Sequence, residues 1–395
     1  MEIRFPMWLR VVDRPGATVF ATLSATEAFS RALVAGVIPL EAYRLLELAR
    51  NVSFAYTVIG VVALLASFAV PVVIRLVRRK WIFSAGCVFM VAAPLLMLLD
   101  TAGPFLGALQ FRALAVVCVN ISLNLYILDY IARKDFVTAE PRRLAFMGVA
   151  WFTGPGLGIY LYKTFGLAAV CVPSALFAVI ALAYFWVLRM REDPRVAPAK
   201  KRPPTPWANI RRYLAQPRLR LAWAIPFARS SYWSAFFVYP PLYIAKYGGD
   251  EMLSAVMLSA GQGLLFGAPL AGRLARALGM RRVIILAFVF TGAICVAAGL
   301  GRPSPEVVAL LFFVGSVGAM TLDALGNIPF LRSVHAYERS EMTSVFRTYI
   351  EVSQLLPPAI YAVLLLYFPL SSVFVALGVL LFGAAWISTY LPRRF

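Results

Sequence analysis

The residues of this 395-residue chain that could do chemistry are ionisable and amide side chains set inside long apolar runs. Glu27 and Arg31 stand four apart, so a carboxylate and a guanidinium share one helical face, with Ser24 close to the same line. Arg112, Asn120, Asn124 and Asp129 follow along a second run, and Arg229 neighbours Tyr232 and Trp233 in a third. Asp323 and Asn327 lie in a fourth, and Arg347 and Glu351, again four apart with Gln354 one turn on, in a fifth. A charge in hydrocarbon is costly unless paired or hydrated, so each of these is a candidate for handling an ion or a polar solute.

The residue types suggest the division of labour. No basic residue lies within a turn of Asp323, and a lone carboxylate in low dielectric is a natural proton acceptor. Asp323 is therefore the first proton-coupling candidate and Glu27 the second, a static ion pair with Arg31 being the competing reading for Glu27. Arg31, Arg112 and Arg229 can meet an anion, since guanidinium recognises carboxylate and phosphate. With Asn120, Asn124, Tyr232, Trp233 and Asn327 they are the candidates to line a substrate cavity. Asp129, Arg347 and Glu351 lie near the ends of their runs, where a gate or an interhelical pair is expected. Cys87, Cys118, Cys171 and Cys295 all fall in apolar segments without CxxC spacing and read as packing residues. The single histidine, His335, sits in the polar stretch RSVHAYERSEMT and reads as a surface residue. No HExxH, GxSxG or P-loop pattern occurs, so neither an enzyme nor a metal or cofactor site is expected, and active transport would have to draw on an ion gradient.

The elements that must position these residues are membrane helices. The chain is 61% hydrophobic and 14% charged, with mean hydropathy +0.79, against about a quarter charged in ordinary soluble domains. That composition excludes a disulfide scaffold, a disordered chain and a cytosolic enzyme. The apolar runs recur at about the 20 residues needed to cross the hydrocarbon. Twelve spans are expected, at 17–40, 51–74, 81–99, 104–131, 144–162 and 166–188, then 221–245, 252–275, 282–300, 305–331, 345–367 and 371–391. With both termini cytoplasmic, the inner segments carry 29 Lys and Arg and the outer ones 5, which fixes that orientation by the positive-inside rule. The net charge of +20 is spread over short loops, so no nucleic-acid partner is expected. The N-terminal segment lacks the apolar core and cleavage site of a signal peptide. A basic, Pro-rich linker at 189–220 divides a bundle at 1–188 from one at 221–395. Within it, residues 207–219 read as a short interfacial helix with Trp207, Ile210 and Leu214 toward lipid.

The halves repeat. A shift of 203 positions places Asn120 on Asp323, Asn124 on Asn327 and Gly154-Pro155 on Pro357-Pro358. Two parallel six-span halves joined by a long loop form one class of transporter architecture, and here the whole chain resembles the major facilitator superfamily. Residues 272–282, GRLARALGMRR, are similar to its loop signature G-x-x-x-D-R-x-G-R-R, with Arg276 in the acidic place. In the first-half copy Val70, Ile74 and Val77 replace Gly, Asp and Gly, while Arg75, Arg78 and Arg79 remain. The family's cytoplasmic latch uses those acidic positions, so it does not carry over in that form. Arg112 is similar to an arginine that the family links to proton coupling. Gly154, Pro155 and Gly158 resemble the G-P-x-x-G-G motif of its exporters, with Ile159 in the last place. Close packing, helix bending and coupling are all open for that segment.

The resemblance implies an all-α membrane protein with twelve transmembrane helices in two pseudo-symmetric six-helix bundles, spans one, four, seven and ten lining the cavity. It implies a monomeric secondary transporter of a small-molecule substrate in the lipid bilayer, in the cytoplasmic (inner) membrane of a bacterial host. The exporter-like motif, Arg112 and the carboxylates point to proton-coupled export. The alternative is an uncoupled or uptake transporter of an organic anion or a lipid-like amphiphile.

Overall fold

The computed structural model describes residues 16–131, 136–188, 206–301, 303–334 and 339–392. The first half of the linker and His335 lie outside them, as do the side chains of Asp129 and Trp207. The regular elements among the described residues are helices, the solution a lipid solvent demands, because a helix satisfies its backbone groups within itself.

The first half comprises α1 (Ala17–Ala35), α2 (Val37–Leu46), α3 (Ala49–Leu76), α4 (Arg79–Met97), α5 (Ala102–Tyr130), α6 (Phe136–Phe165) and α7 (Ala168–Val187). A short α8 (Pro206–Ala215) precedes the second half. That half comprises α9 (Pro217–Lys246), α10 (Glu251–Gly263), α11 (Ala268–Leu278), α12 (Met280–Gly299), α13 (Pro305–Leu325), α14 (Ile328–Ser333), α15 (Arg339–Tyr367) and α16 (Ser372–Ser388). Nine helices among the described residues are long and apolar enough to cross a bilayer, and the bent α10–α11 pair makes ten. The more polar α9 and the 17-residue α16 occupy the seventh and twelfth expected spans.

Two spans are broken by the same device. Pro39 has no N–H to give the carbonyl of Ala35, where α1 ends, and Pro329 has none for Leu325, where α13 ends. Each break carries the sequence Gly-x-Ile-Pro, at 36–39 and 326–329. The breaks lie toward opposite ends of the molecule. Between α10 and α11 the four residues Leu264–Gly267 form a 3-10 turn, and the two arms meet at 56°.

Packing repeats from one half to the other. In the first, α1 packs on α6 and α7, α4 on α5 and α7, and α3 on α5. In the second, α9 packs on α15 and α16, α12 on α13 and α16, and α10–α11 on α13. These are the same pairings under the 203-residue shift. The main contacts between the halves are α3 against α15 and α6 against α10, with α2 against α9 a smaller one. Glycines set their closeness, since a Cβ on Gly60 would lie 2.8 Å from the Leu355 Cα.

The repeat is imperfect at its loop signature. Gly279 turns the chain between α11 and α12 at φ +87, in the left-handed region that favours glycine. At the matching place Val77 runs extended instead. The linker helix α8 also departs from expectation. Its Tyr213 is buried among Leu219, Phe330, Phe346 and Tyr349 of the second half; of the three residues expected toward lipid, Leu214 is well exposed, Ile210 is half-buried and the side chain of Trp207 is outside those described.

Candidate functional site

Among the described residues, each half carries a carboxylate–arginine pair deep in its bundle. In the first, Arg31 clasps Glu27 with two hydrogen bonds, Nε to Oε2 at 2.8 Å and Nη2 to Oε1 at 2.9 Å. Helical spacing of i to i+4 is enough to bring them together, and Glu27 is 1% exposed. The Arg31 guanidinium also lies over the Trp151 ring, 5.7 Å from its centroid, a cation–π arrangement.

In the second half the structure corrects the sequence reading of Asp323. That carboxylate is not isolated. Arg229 from α9 places Nη1 3.2 Å from its Oδ1, and Trp233, one turn further along α9, donates its indole N–H to Oδ2 at 2.7 Å. Arg229 and Asp323 are 94 positions apart, so no local spacing could reveal the pair. Arg229 also donates to the Tyr349 hydroxyl at 3.1 Å and lies 5.6 Å from that ring's centroid. Its Nε, and Oδ1 of Asn327 on the next turn from Asp323, are buried without a protein partner.

An aromatic bridge links the two pairs across the interface. Trp151 of α6 meets Phe237 of α9 edge-on at 5.5 Å, Phe237 meets Phe236, and Phe236 meets Trp233. The path therefore runs from the Arg31 guanidinium through rings to the partner of Asp323. Trp151 and Tyr349 are not legible as site residues in the sequence, because an aromatic in an apolar helix carries no signal of which face it takes.

Other candidates are placed differently from expectation. Tyr232 is a core residue and not a cavity wall: it is 1% exposed, bonds the Phe312 carbonyl at 3.0 Å, and packs among Phe236 and Phe312. Arg347 and Glu351 form no ion pair although they share a face; Arg347 is exposed and Glu351 half-buried. Asn120 and Asn124 are half-buried on α5. Arg112 donates to the Arg31 carbonyl at 3.4 Å, and among the described residues no carboxylate lies within ion-pair reach of it.

The Gly-Pro segment of α6 is a packing surface. A Cβ on Gly154 would lie 2.4 Å from the Ala32 Cβ, and one on Gly158 1.8 Å from the Leu33 carbonyl oxygen. Between them the Gly156 N–H donates to Ser259 Oγ of the other half at 2.9 Å. α6 thus touches α1 within its bundle and α10 across the interface through adjacent small residues.

At the end with few basic residues the halves are drawn together. Ser53 bonds the Tyr239 hydroxyl at 3.0 Å, and Lys163 meets Asp250 at 2.5 Å. Asp250 also caps α10 by accepting the Met252 N–H. The Lys163 ammonium and that N–H hold the Asp250 carboxyl below the usual carboxylate range. The nearby Glu41 was not anticipated, since span one was expected to stop at 40. It is 2% exposed and accepts the Tyr162 hydroxyl at 2.6 Å and the Arg44 guanidinium.

A family model described as the Major Facilitator Superfamily matches residues 20–267, more than half of the chain. The chain belongs to the Major Facilitator Superfamily. Its fold agrees with solved members. A POT family transporter in complex with a thioalcohol-conjugated peptide superposes with TM-score 0.75 at 12% identity, covering 94% of this chain and 95% of that one. A POT family transporter in complex with 5-aminolevulinic acid gives 0.77 at 12%, covering 95% of each. A variant of the nucleoside transporter NupG gives 0.67 at 12%, covering 94% and 99%. At such identity these likenesses speak for the fold alone. No curated protein sequence matches the chain. Within the superfamily this is a membrane transporter rather than an enzyme, and the paired charges between its two bundles are its candidate site.

Proposed function

We propose that the protein exports a small organic compound by alternating access, driven by protons that enter on Asp323 and Glu27. The observation that carries this reading is the matched pair of intramembrane ion pairs, Glu27–Arg31 and Asp323–Arg229, one in each half. Protonating either carboxylate dissolves its ion pair and frees a guanidinium, so proton and substrate compete for the same groups. The bundles at 1–188 and 221–395 rock about the α3–α15 and α6–α10 contacts. The basic loops support the reading that both termini are cytoplasmic, on which the end closed by Lys163 and Asp250 is the outer one. The α6 Gly-Pro segment favours export. Peptide, 5-aminolevulinic acid and nucleoside, named for the three similar structures, are small polar organic molecules of the class proposed. Substrate contacts are assigned to Arg31, Arg229, Trp233, Asn120, Asn124 and Asn327.

A second reading, uncoupled or inward movement of an organic anion or lipid-like amphiphile, draws on Arg112, which has no carboxylate partner among the described residues. Inverted membrane vesicles separate the two. With an imposed pH gradient, a transported compound added to wild type collapses the gradient, and Asp323→Asn or Glu27→Gln abolishes the collapse. Uphill transport that survives in both variants would exclude proton coupling at these residues.

A further inference from the structure

Beside the proposed transport groups, and sharing only Arg31 with them, lies a small cavity inside the first bundle, between α1, α4, α5 and α7. Its lining comes wholly from that bundle. Arg31, Arg112, Ser30 and Ser174 supply the polar part, and the rest is apolar, Met90 and Met97 among it. The charge around it does not balance. Glu27 engages Arg31 through both carboxylate oxygens, so that pair is neutral together. Arg112 remains, with one long bond to a carbonyl and no carboxylate within reach among the described residues. Ser30 is 1% exposed, and its hydroxyl has no hydrogen-bond partner although it borders the same space. Ser174 spends its proton on the Ser30 carbonyl, at 2.7 Å. An uncompensated guanidinium in low dielectric is expensive, and an unsatisfied buried hydroxyl adds to the cost.

Size decides what could compensate it. The open space admits about one particle of water's dimensions. An organic carboxylate does not fit there, and neither does a tetrahedral oxyanion. A monatomic halide is only somewhat larger than water, needs the flexible Met90 and Met97 side chains to give a little, and is polarizable enough to accept their thioethers. We propose that this cavity binds a single chloride-sized monovalent anion between Arg112 and Ser30, as a resident counter-ion separate from the transported solute. The proposal is independent of substrate and direction, and it removes Arg112 from the second transport reading.

The test is thermal unfolding of the purified full-length protein in detergent, titrated with sodium chloride or bromide against sodium gluconate at constant ionic strength. Wild type should show a saturable rise of about 2 °C or more in halide only. The rise should vanish in Arg112→Gln, weaken in Ser30→Ala and persist in Arg273→Gln, a variant on the exposed face of α11 that controls for general charge effects. Bromide-grown crystals of wild type give a second measurement that does not depend on a variant folding: an anomalous peak is expected beside Arg112. A midpoint indifferent to the anion, a halide rise retained in Arg112→Gln, or a bromide-free cavity would overturn the proposal.

Discussion

Arg229 holds three partners at once: the Asp323 carboxylate, the Tyr349 hydroxyl and the Tyr349 ring face. Taking away one member of a buried ion pair costs about 3–5 kcal/mol, because the survivor is left charged and dry. Here the Asp323 side chain keeps 24% of its exposure, so screening lowers the expected loss for Arg229→Gln to about 2 kcal/mol. Asp323→Asn should cost less, since an amide oxygen can still accept the Trp233 indole N–H. Combined, the two substitutions should destabilise by less than the sum of the singles, measured as unfolding midpoints in detergent. Strict additivity would show that the contact contributes nothing. Glu27 and Arg31 were readable as a pair from four-residue spacing alone, whereas Arg229 and Asp323 meet only through the packing of α9 on α13.

Among the described glycines the tightest contact is that of Gly158 on α6 with α1, and it depends on a missing side chain. Gly158→Ala would drive a methyl into the Leu33 carbonyl oxygen, 1.8 Å away before relaxation. Both neighbours are backbone, so the helices themselves must part, at about 1–3 kcal/mol as for an overpacked core. Gly103→Ala, where nothing lies within 4 Å, is the matched control and should be neutral. The expected outcome is a lower unfolding midpoint for Gly158→Ala alone; equal midpoints would mean that α6 and α1 do not pack this way. Much of the helical framework was legible in the sequence, because apolar runs of membrane length leave one backbone solution in lipid. The two Gly-x-Ile-Pro breaks were also written there but are invisible to hydropathy, which averages across them. The continuation of the first span as α2 carried Glu41 into the structure unannounced. Side-chain facing was the least legible property: Tyr232 and Trp233 are neighbours, yet one is sealed in the bundle core and the other reaches Asp323.

For the whole molecule, the Lys163–Asp250 contact spans the two halves at the end where α2 also packs on α9. Both side chains are about half exposed, so the attraction is weakened by salt. The Asp250 carboxyl lies below its ordinary value, so whatever the contact contributes is present above the unfolded carboxylate range. It is lost only as the pH falls through the lowered value. Asp250 therefore stays charged from about pH 5 to 8, and pH dependence of transport in that window must arise elsewhere. The four cysteines are buried, so thiols placed here can be labelled selectively. Joining Lys163→Cys and Asp250→Cys with a short bis-thiosulfonate cross-linker, which forms a disulfide to each thiol and releases sulfinate, should stop transport, and reduction should restore it. Transport that continues in the linked protein would mean that the halves need not separate at this end.

The edge-on contact of Trp151 with Phe237 has an optical consequence. It crosses the seam that must open and close, and the same indole carries the Arg31 guanidinium on its face. When the halves tilt, that chromophore trades an aromatic neighbour for water, and its emission shifts with the polarity around it. The protein thus contains an intrinsic fluorophore at its own moving joint, reporting the tilt without an added label.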